Sequence, residues 1–182
     1  PLTLNPFGVG PIELTAGSGA GGAYAQVGHG GLSASGNTSG SIVAFSSAGI
    51  SLRGGVTDAY AMLGHGGRSH SGNHGSAGDV VVAVAMDGVE MLGGTGTRSF
   101  VQIGHGGNGS NGTLTGDVLV NFNPLTGTPL GGGHIEVRGG TGTEAFAQIG
   151  LGGLLNGSQV GSTAVFGESV SLQVGSCTIA YS

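Results

Sequence analysis

The chain has no lysine and no tryptophan, a single cysteine, and little charge: only 7% of its 182 residues are charged. An average soluble domain carries about 25% charge. The four cations, Arg53, Arg68, Arg98 and Arg138, are scattered along the chain. A nucleic-acid binder neutralises phosphates with clustered Lys and Arg, so nucleic acid is not an expected partner, and neither is an anionic membrane surface. No apolar run approaches the ~20 residues that span a bilayer, so no membrane insertion is expected. Cys177 has no second cysteine to pair with, which leaves the redox compartment unreadable. It reads as a small buried residue near the C-terminal end. Disorder needs low hydrophobicity with high net charge; here 37% is hydrophobic and the net charge is −5. The chain starts at Pro1 without a signal peptide, which reads as a processed start or a window of something longer.

Glycine is abundant instead, at 44 residues. It does not recur at every third position, which excludes collagen. It punctuates a repeat. The signature reads AYAQVGHGG at Ala23–Gly31, AYAMLGHGG at Ala59–Gly67, SFVQIGHGG at Ser99–Gly107 and AFAQIGLGG at Ala145–Gly153, with starts 36, 40 and 46 residues apart. Upstream of each lies a short alternating segment: Ile12–Gly17, Ile50–Gly55, Val89–Gly94 and Ile135–Gly140. Downstream come a Ser/Asn/Gly loop and a third segment: Ser41–Phe45, Asp79–Met86, Asp117–Phe122 and Ser169–Val174.

The period within these segments is two. Ile50 and Leu52 face one way, Ser51 and Arg53 the other; Tyr60 and Met62 share one face, Ala61 and Leu63 the opposite one. That is strand alternation, and no capped helical stripe occurs. Three short strands cannot bury their own apolar face, but stacked units can. The expected fold is therefore all-β: a β-solenoid or parallel β-helix of about four imperfect ~40-residue repeats. A small propeller or closed barrel is the alternative. Each unit also splits into halves of 19–20 residues, such as Gly49–Gly67 and Arg68–Asp87, the length expected of one β-helical turn. The predicted organisation is a cap or inter-subunit strand at 1–11 and one array at 12–174. Its units run 12–48, 49–87, 88–132 and 133–174. A second cap or inter-subunit strand follows at 175–182, where Thr178–Ser182 can serve as a terminal strand.

The pattern at Gly78–Val82, Gly88–Gly93 and Ser99–Gly107 resembles the repeats of bacterial filamentous-haemagglutinin-like exoproteins of the two-partner-secreted type. That resemblance covers roughly residues 12–175. It implies a secreted or surface-attached β-helical protein used for adhesion, biofilm or fibre formation.

The candidate chemistry is repetitive. The motif residues are Gly28, His29, Gly30, Gly31; Gly64, His65, Gly66, Gly67; Gly104, His105, Gly106, Gly107; and Gly150, Gly152, Gly153, with Leu151 in place of the fourth histidine. Units stacked in register would set His29, His65 and His105 in a ladder. A structural ladder is the preferred reading, since Leu151 shows that the row tolerates an apolar side chain. These three histidines are also the candidate metal ligands, histidine being a common one. His70 and His74, four apart in a polar loop without a nearby acid, read as solvated. Glu13, Glu90 and Glu136 are equivalent, as are Asp79 and Asp117, which argues for ladders rather than a unique acid–base pair. The aromatics Phe45, Tyr60, Phe100, Phe122, Phe146 and Phe166 read as core or stacked rows. Asn37, Asn108, Asn111 and Asn156 are sequons, candidate glycosylation sites on the loop after the signature.

The expected function is a non-catalytic, extracellular or cell-surface structural protein, forming a fibre, sheath or adhesin stalk with no cofactor. Its expected partners are further repeats or copies of itself, and glycans or a host or matrix surface. The alternative is a carbohydrate- or surface-binding adhesin module using a polar face. An ice-binding face is disfavoured, because threonine falls mainly in turns, at Thr95, Thr97, Thr141 and Thr143.

Overall fold

The computed structural model describes residues 2–5, 9–19, 21–75, 78–131 and 133–175. Among them there is no helix, and apart from one hairpin every strand pairing is parallel. One five-stranded sheet joins Leu2–Leu4, Ile42–Ser46, Val80–Val84, Val118–Val120 and Thr163–Val165 in that order. A second joins Ile12–Thr15, Ile50–Arg53, Val89–Leu92, His134–Arg138 and Ser169–Gln173. A four-stranded sheet joins the signature strands Ala25–Val27, Ala61–Leu63, Val101–Ile103 and Ala147–Ile149. A three-stranded one joins Gly66–Arg68, Gly106–Asn108 and Gly152–Leu154. This is the parallel pairing a β-solenoid requires, and not the antiparallel pairing of propeller blades.

The alternation expected from the sequence sets the packing. Ile50 and Leu52 are buried while Arg53 is exposed. Ile12, Leu14, Ile42, Ala44, Ala61, Leu63, Val80, Val101 and Ile135 belong to one continuous apolar cluster fed by all three larger sheets. The signature strand is buried on both faces. Ala61 and Leu63 enter the main cluster, while Tyr60 and Met62 join Phe100 in a second, smaller one. Gly66–Arg68 crosses the outer side of those rings: a Cβ on Gly67 would lie 2.7 Å from the Tyr60 hydroxyl.

Two expectations need correction. A turn of 19–20 residues is not seen. Each parallel partner lies a full unit away, from 35 positions (Ile135 to Val170) to 46 (Val101 to Ala147). The extra chain forms the glycine-rich segment over the aromatic rings, so the unit does not close at half its length. Second, Ser169–Gln173 is not the fourth copy of the third strand. It pairs with His134–Arg138 as a further copy of the first, and Thr163–Val165 takes the third-strand place beside Val118–Val120. Within the segment expected as a cap or inter-subunit strand, Leu2–Leu4 pairs with Ile42–Ala44. The long 46-residue spacing is absorbed by an antiparallel hairpin, Phe122–Asn123 with Thr128–Pro129. Cys177 and the terminal strand expected at Thr178–Ser182 lie outside the described residues.

Burial separates two leucines cleanly. Leu52 is fully buried and Leu125, at the hairpin tip, is 87% exposed. Leu52→Ala should cost about 2–5 kcal/mol, whereas Leu125→Ala should stay within about 0.5 kcal/mol. Urea unfolding followed by circular dichroism measures both.

Candidate functional site

The signature copies meet in register, so each side chain faces its own counterpart. Ala25, Ala61, Val101 and Ala147 are successive partners, as are Val27, Leu63, Ile103 and Ile149. One residue earlier, Tyr24, Tyr60, Phe100 and Phe146 stack with centroids 4.8, 4.6 and 4.9 Å apart and planes within 10° of parallel. Phe122 and Phe166 form a looser pair at 6.1 Å. The spacing is that of adjacent strands, ~4.8 Å, so the backbone ladder itself dictates the ring stack.

His29, His65 and His105 form the expected ladder, with centroids 4.9 Å apart at both steps. The main-chain N–H of His29 donates to Nδ1 of His65 at 2.9 Å, and that of His65 donates to Nδ1 of His105 at 3.0 Å. Nδ1 therefore carries no proton. Nε2–H then donates, from His65 to the Gly40 carbonyl at 2.9 Å and from His105 to the Gly78 carbonyl at 3.2 Å. The network assigns this neutral tautomer, and both nitrogens of His65 and His105 are spent on the main chain. As metal ligands these two have no free lone pair, and the structural reading of the row accounts for them. Burial holds both rings below the ordinary histidine range, with His105 pushed down to about 4 by burial first and by the His65 ring second. Leu151 continues the row in apolar surroundings, 8% exposed.

The paired glycines are demanded twice at Gly106. Its φ is +127°, and a Cβ there would overlap the carbonyl oxygen of Gly152 in the next copy. Glutamine, which the sequence pattern alone did not single out, supports the same turn. Nε2 of Gln102 donates to the carbonyls of His105, Gly150 and Gly152 at 3.0–3.1 Å. Nε2 of Gln26 likewise reaches Gly64 at 3.1 Å. The signal was the glutamine recurring in three copies of the signature, at Gln26, Gln102 and Gln148.

The charged residues also sit in rows. Glu13, Ser51, Glu90 and Glu136 are register partners, as the sequence implied; Arg53 is paired with Glu90, and Arg138 lies 3.9 Å from Glu136. Asp79 and Asp117 each accept a main-chain N–H from the following copy, at Asp117 (2.9 Å) and Ser162 (2.7 Å). A row not evident from the sequence pattern is Asp58, Arg98 and Glu144, all at positive φ just before the ring position. Arg98 donates to both Asp58 carboxylate oxygens, at 2.6 and 3.2 Å, and Arg68 lies 3.2 Å from the same carboxylate. Arg98 holds the Asp58 carboxyl below its ordinary value. The alternating sign at equivalent positions was the available clue.

Two further sequence expectations change. His70 and His74 are not solvated: they are 2% and 0% exposed, with ring centroids 4.4 Å apart. Their loop folds inward beside the ladder. Among the sequons, Asn108 is 5% exposed and its Nδ2, the atom a glycan would need, donates to Glu144. Nδ2 of Asn156 is held by the Gly107 carbonyl at 2.9 Å. Asn37 and Asn111 are exposed. Among the described residues no group of three or more His, Cys, Asp or Glu is arranged to hold a metal ion.

No protein-family model, no curated protein and no solved structure matches this chain.

Stability should follow the ladder's protonation. A histidine whose folded pKa lies below 6.5 binds fewer protons folded than unfolded, so stability rises with pH across that gap. The contribution of His105 is complete above pH ~6.5 and is lost as pH falls towards about 4, and that of His65 is lost in the same direction. Asp58 titrates beneath that window, below 3.8. Urea midpoints should drop between pH 6.5 and 4, and His105→Leu, which copies Leu151, should flatten the drop. An equal drop in that variant would show that other groups cause it.

Proposed function

We propose that the chain is a structural β-solenoid whose coils of about 40 residues stack into an extracellular fibre, sheath or adhesin stalk. In this reading it is not an enzyme and carries no cofactor. The observation that supports it best is the in-register stacking of whole rows. Rings, imidazoles and acids meet their counterparts one strand spacing away. A catalytic site needs a non-repeated constellation; here the repeated carboxylates and imidazoles are engaged in holding one copy to the next.

The solenoid reading also explains what the outermost copies present. Leu2 lies on one outermost strand of the array, and Val170 and Leu172 on another; all three are exposed. Strand edges of this kind pair readily with further strands, so the proposed partners are more coils of the same kind, within a longer chain or in another copy. The filamentous-haemagglutinin-like resemblance fits this use and supplies the proposed location outside the cell or on its surface. No helix among the described residues is long and apolar enough to cross a membrane.

Cryo-electron microscopy of the purified chain tests the reading. The expected image is an elongated particle with a ~4.8 Å repeat along its axis, extended further in native material. Discrete particles carrying a sugar in a groove would move the assignment to a glycan-binding adhesin module. Thermolysin gives a second readout: the stacked copies should persist while the 122–130 hairpin is nicked, and rapid cutting within the rows would count against a packed array.

A further inference from the structure

The rows of the array do not end together. Among the described residues the signature row has four strands, whereas the first-strand and third-strand rows have five each. The extra member of the third-strand row, Leu2–Leu4, precedes the first copy, and that of the first-strand row, Ser169–Gln173, follows the last. Each end thus holds a single described strand of a further coil. Val170 and Leu172 continue the rows Ile12, Ile50, Val89, Ile135 and Leu14, Leu52, Met91, Val137. Every other member of these rows is at most 7% exposed, yet Val170 and Leu172 are 50% and 76% exposed. Leu2 continues the buried row of Ile42, Val80 and Val118 and is 43% exposed. At the C-terminal end a hollow of about 360 Å³ opens the core between Ile135, Val137, Ala147, Ile149, Val165 and Leu172.

We propose that the two part-coils complete each other between copies: the N-terminal end of a second copy of this chain stacks on the C-terminal end of the first, head to tail. The inference rests on the structural-solenoid reading and adds its partner, face and register. Leu2–Leu4 of the next copy takes the third-strand place in the coil that Ser169–Gln173 begins. There Leu2 and Leu4 meet Val170 and Leu172 across the core, as Ile42 and Ala44 join Ile12 and Leu14 in the main cluster. Two rows fix the offset at once. A step of five coils sets Leu2, Thr3 and Leu4 beside Thr163, Ala164 and Val165, since both triplets belong to one register. The same step sets Ile12, Glu13, Leu14 and Thr15 beside Val170, Ser171, Leu172 and Gln173. A shorter step would put Ile12–Thr15 where Ser169–Gln173 already lies. The hollow marks the signature place of the shared coil.

The chemistry of the end strands suits a second copy. Across Leu2–Leu4, Ile12–Thr15, Thr163–Val165 and Ser169–Gln173 the only charged residue is Glu13. In the stacked pair it lies between Ser51 of its own copy and Ser171 of its neighbour, so the serine interruption already present in the glutamate row is kept across the junction. Apolar Val170 and Leu172 fall beside Ile12 and Leu14, and polar Gln173 falls beside Thr15. The outer edges of these strands carry main-chain N–H and C=O groups that strand addition satisfies. The two surfaces in contact are different, so the contact does not close on itself and builds an open filament.

The test combines light scattering and cryo-electron microscopy of the chain with cysteine cross-linking. Filaments that lengthen with concentration are expected, with a subunit repeat of five strand spacings, ~24 Å, along the axis. Register partners on adjacent parallel strands stand close enough for a disulfide, and positions 13 and 171 lie at opposite ends of one copy. Glu13→Cys with Ser171→Cys, in a Cys177→Ser background, should therefore give a ladder of covalent oligomers on non-reducing gels, and either single variant should give none. Leu172→Asp, at a side chain exposed within one copy, should raise the concentration needed for assembly at least tenfold with an unchanged circular dichroism spectrum. Assembly unaffected by Leu172→Asp, or covalent dimers from a single-cysteine variant, would overturn the head-to-tail contact. A chain that stays monomeric until residues 176–182 are removed would overturn it too, by showing that the chain covers its own end. Elongated monomers with the ~4.8 Å spacing would overturn the contact and leave the solenoid reading standing, whereas particles without that spacing would remove both.

Discussion

The approach of one copy's main chain to the next, at the spacing of adjacent parallel strands, governs the molecule. In register, at ~4.8 Å, a residue has no choice of neighbour: it meets whatever occupies its own position one copy away. Groups that attract themselves at that distance can fill a row indefinitely. Aromatic rings do so by parallel stacking, and neutral imidazoles do so by taking a main-chain N–H from the adjacent copy. Groups that repel themselves are interrupted, alternated or, as at the adjacent Glu90 and Glu136, countered by an arginine alongside. Ser51 interrupts the glutamate row, and Arg98 sits between Asp58 and Glu144. The scarcity of charge in the composition follows from the same constraint.

Glycine answers to it too. Where the turn brings carbonyl oxygens of the next copy against Cα, as at Gly106, even a methyl group has no room. The positive φ there would strain any other residue, so two independent conditions select the same amino acid. A Gly-Gly segment, in turn, can lie against the ring edges, where Gly31 meets the Tyr24 hydroxyl and Gly67 that of Tyr60. The signature strand is thereby buried on both sides, and the unit is twice as long as a minimal turn.

That doubling was the least legible feature of the sequence. Alternation in Ile50–Arg53 is carried by side chains, so it is plain in the order of the residues. The strand Gly66–Arg68 is two-thirds glycine, which has low strand propensity, and nothing in the sequence marks it as a ladder member. The halves of 19–20 residues looked complete for want of it. Ser169–Gln173 was legible as a strand but not as to which row it joins, because its own alternation fits either of two sheets; only its partner, His134–Arg138, decides. The ladder His29, His65 and His105 was visible because it repeats. The burial of His70 and His74 was not, since they occur once, within a stretch of Ser, Asn and Gly that composition assigns to solvent.

Repetition and exception therefore carry different information here. In a linear array each copy touches chiefly its neighbours, and stability is close to a sum of nearest-neighbour terms. A row can then lose a member at local cost: Met62 replaces glutamine between Gln26 and Gln102, and Leu151 replaces histidine after His105. Both replacements stay buried. His70 and His74 go the other way. They put polar rings where the neighbouring copy has serine and leucine, and each leaves one nitrogen without a partner. That cost is borne by one copy alone, because neither neighbour repeats the pair.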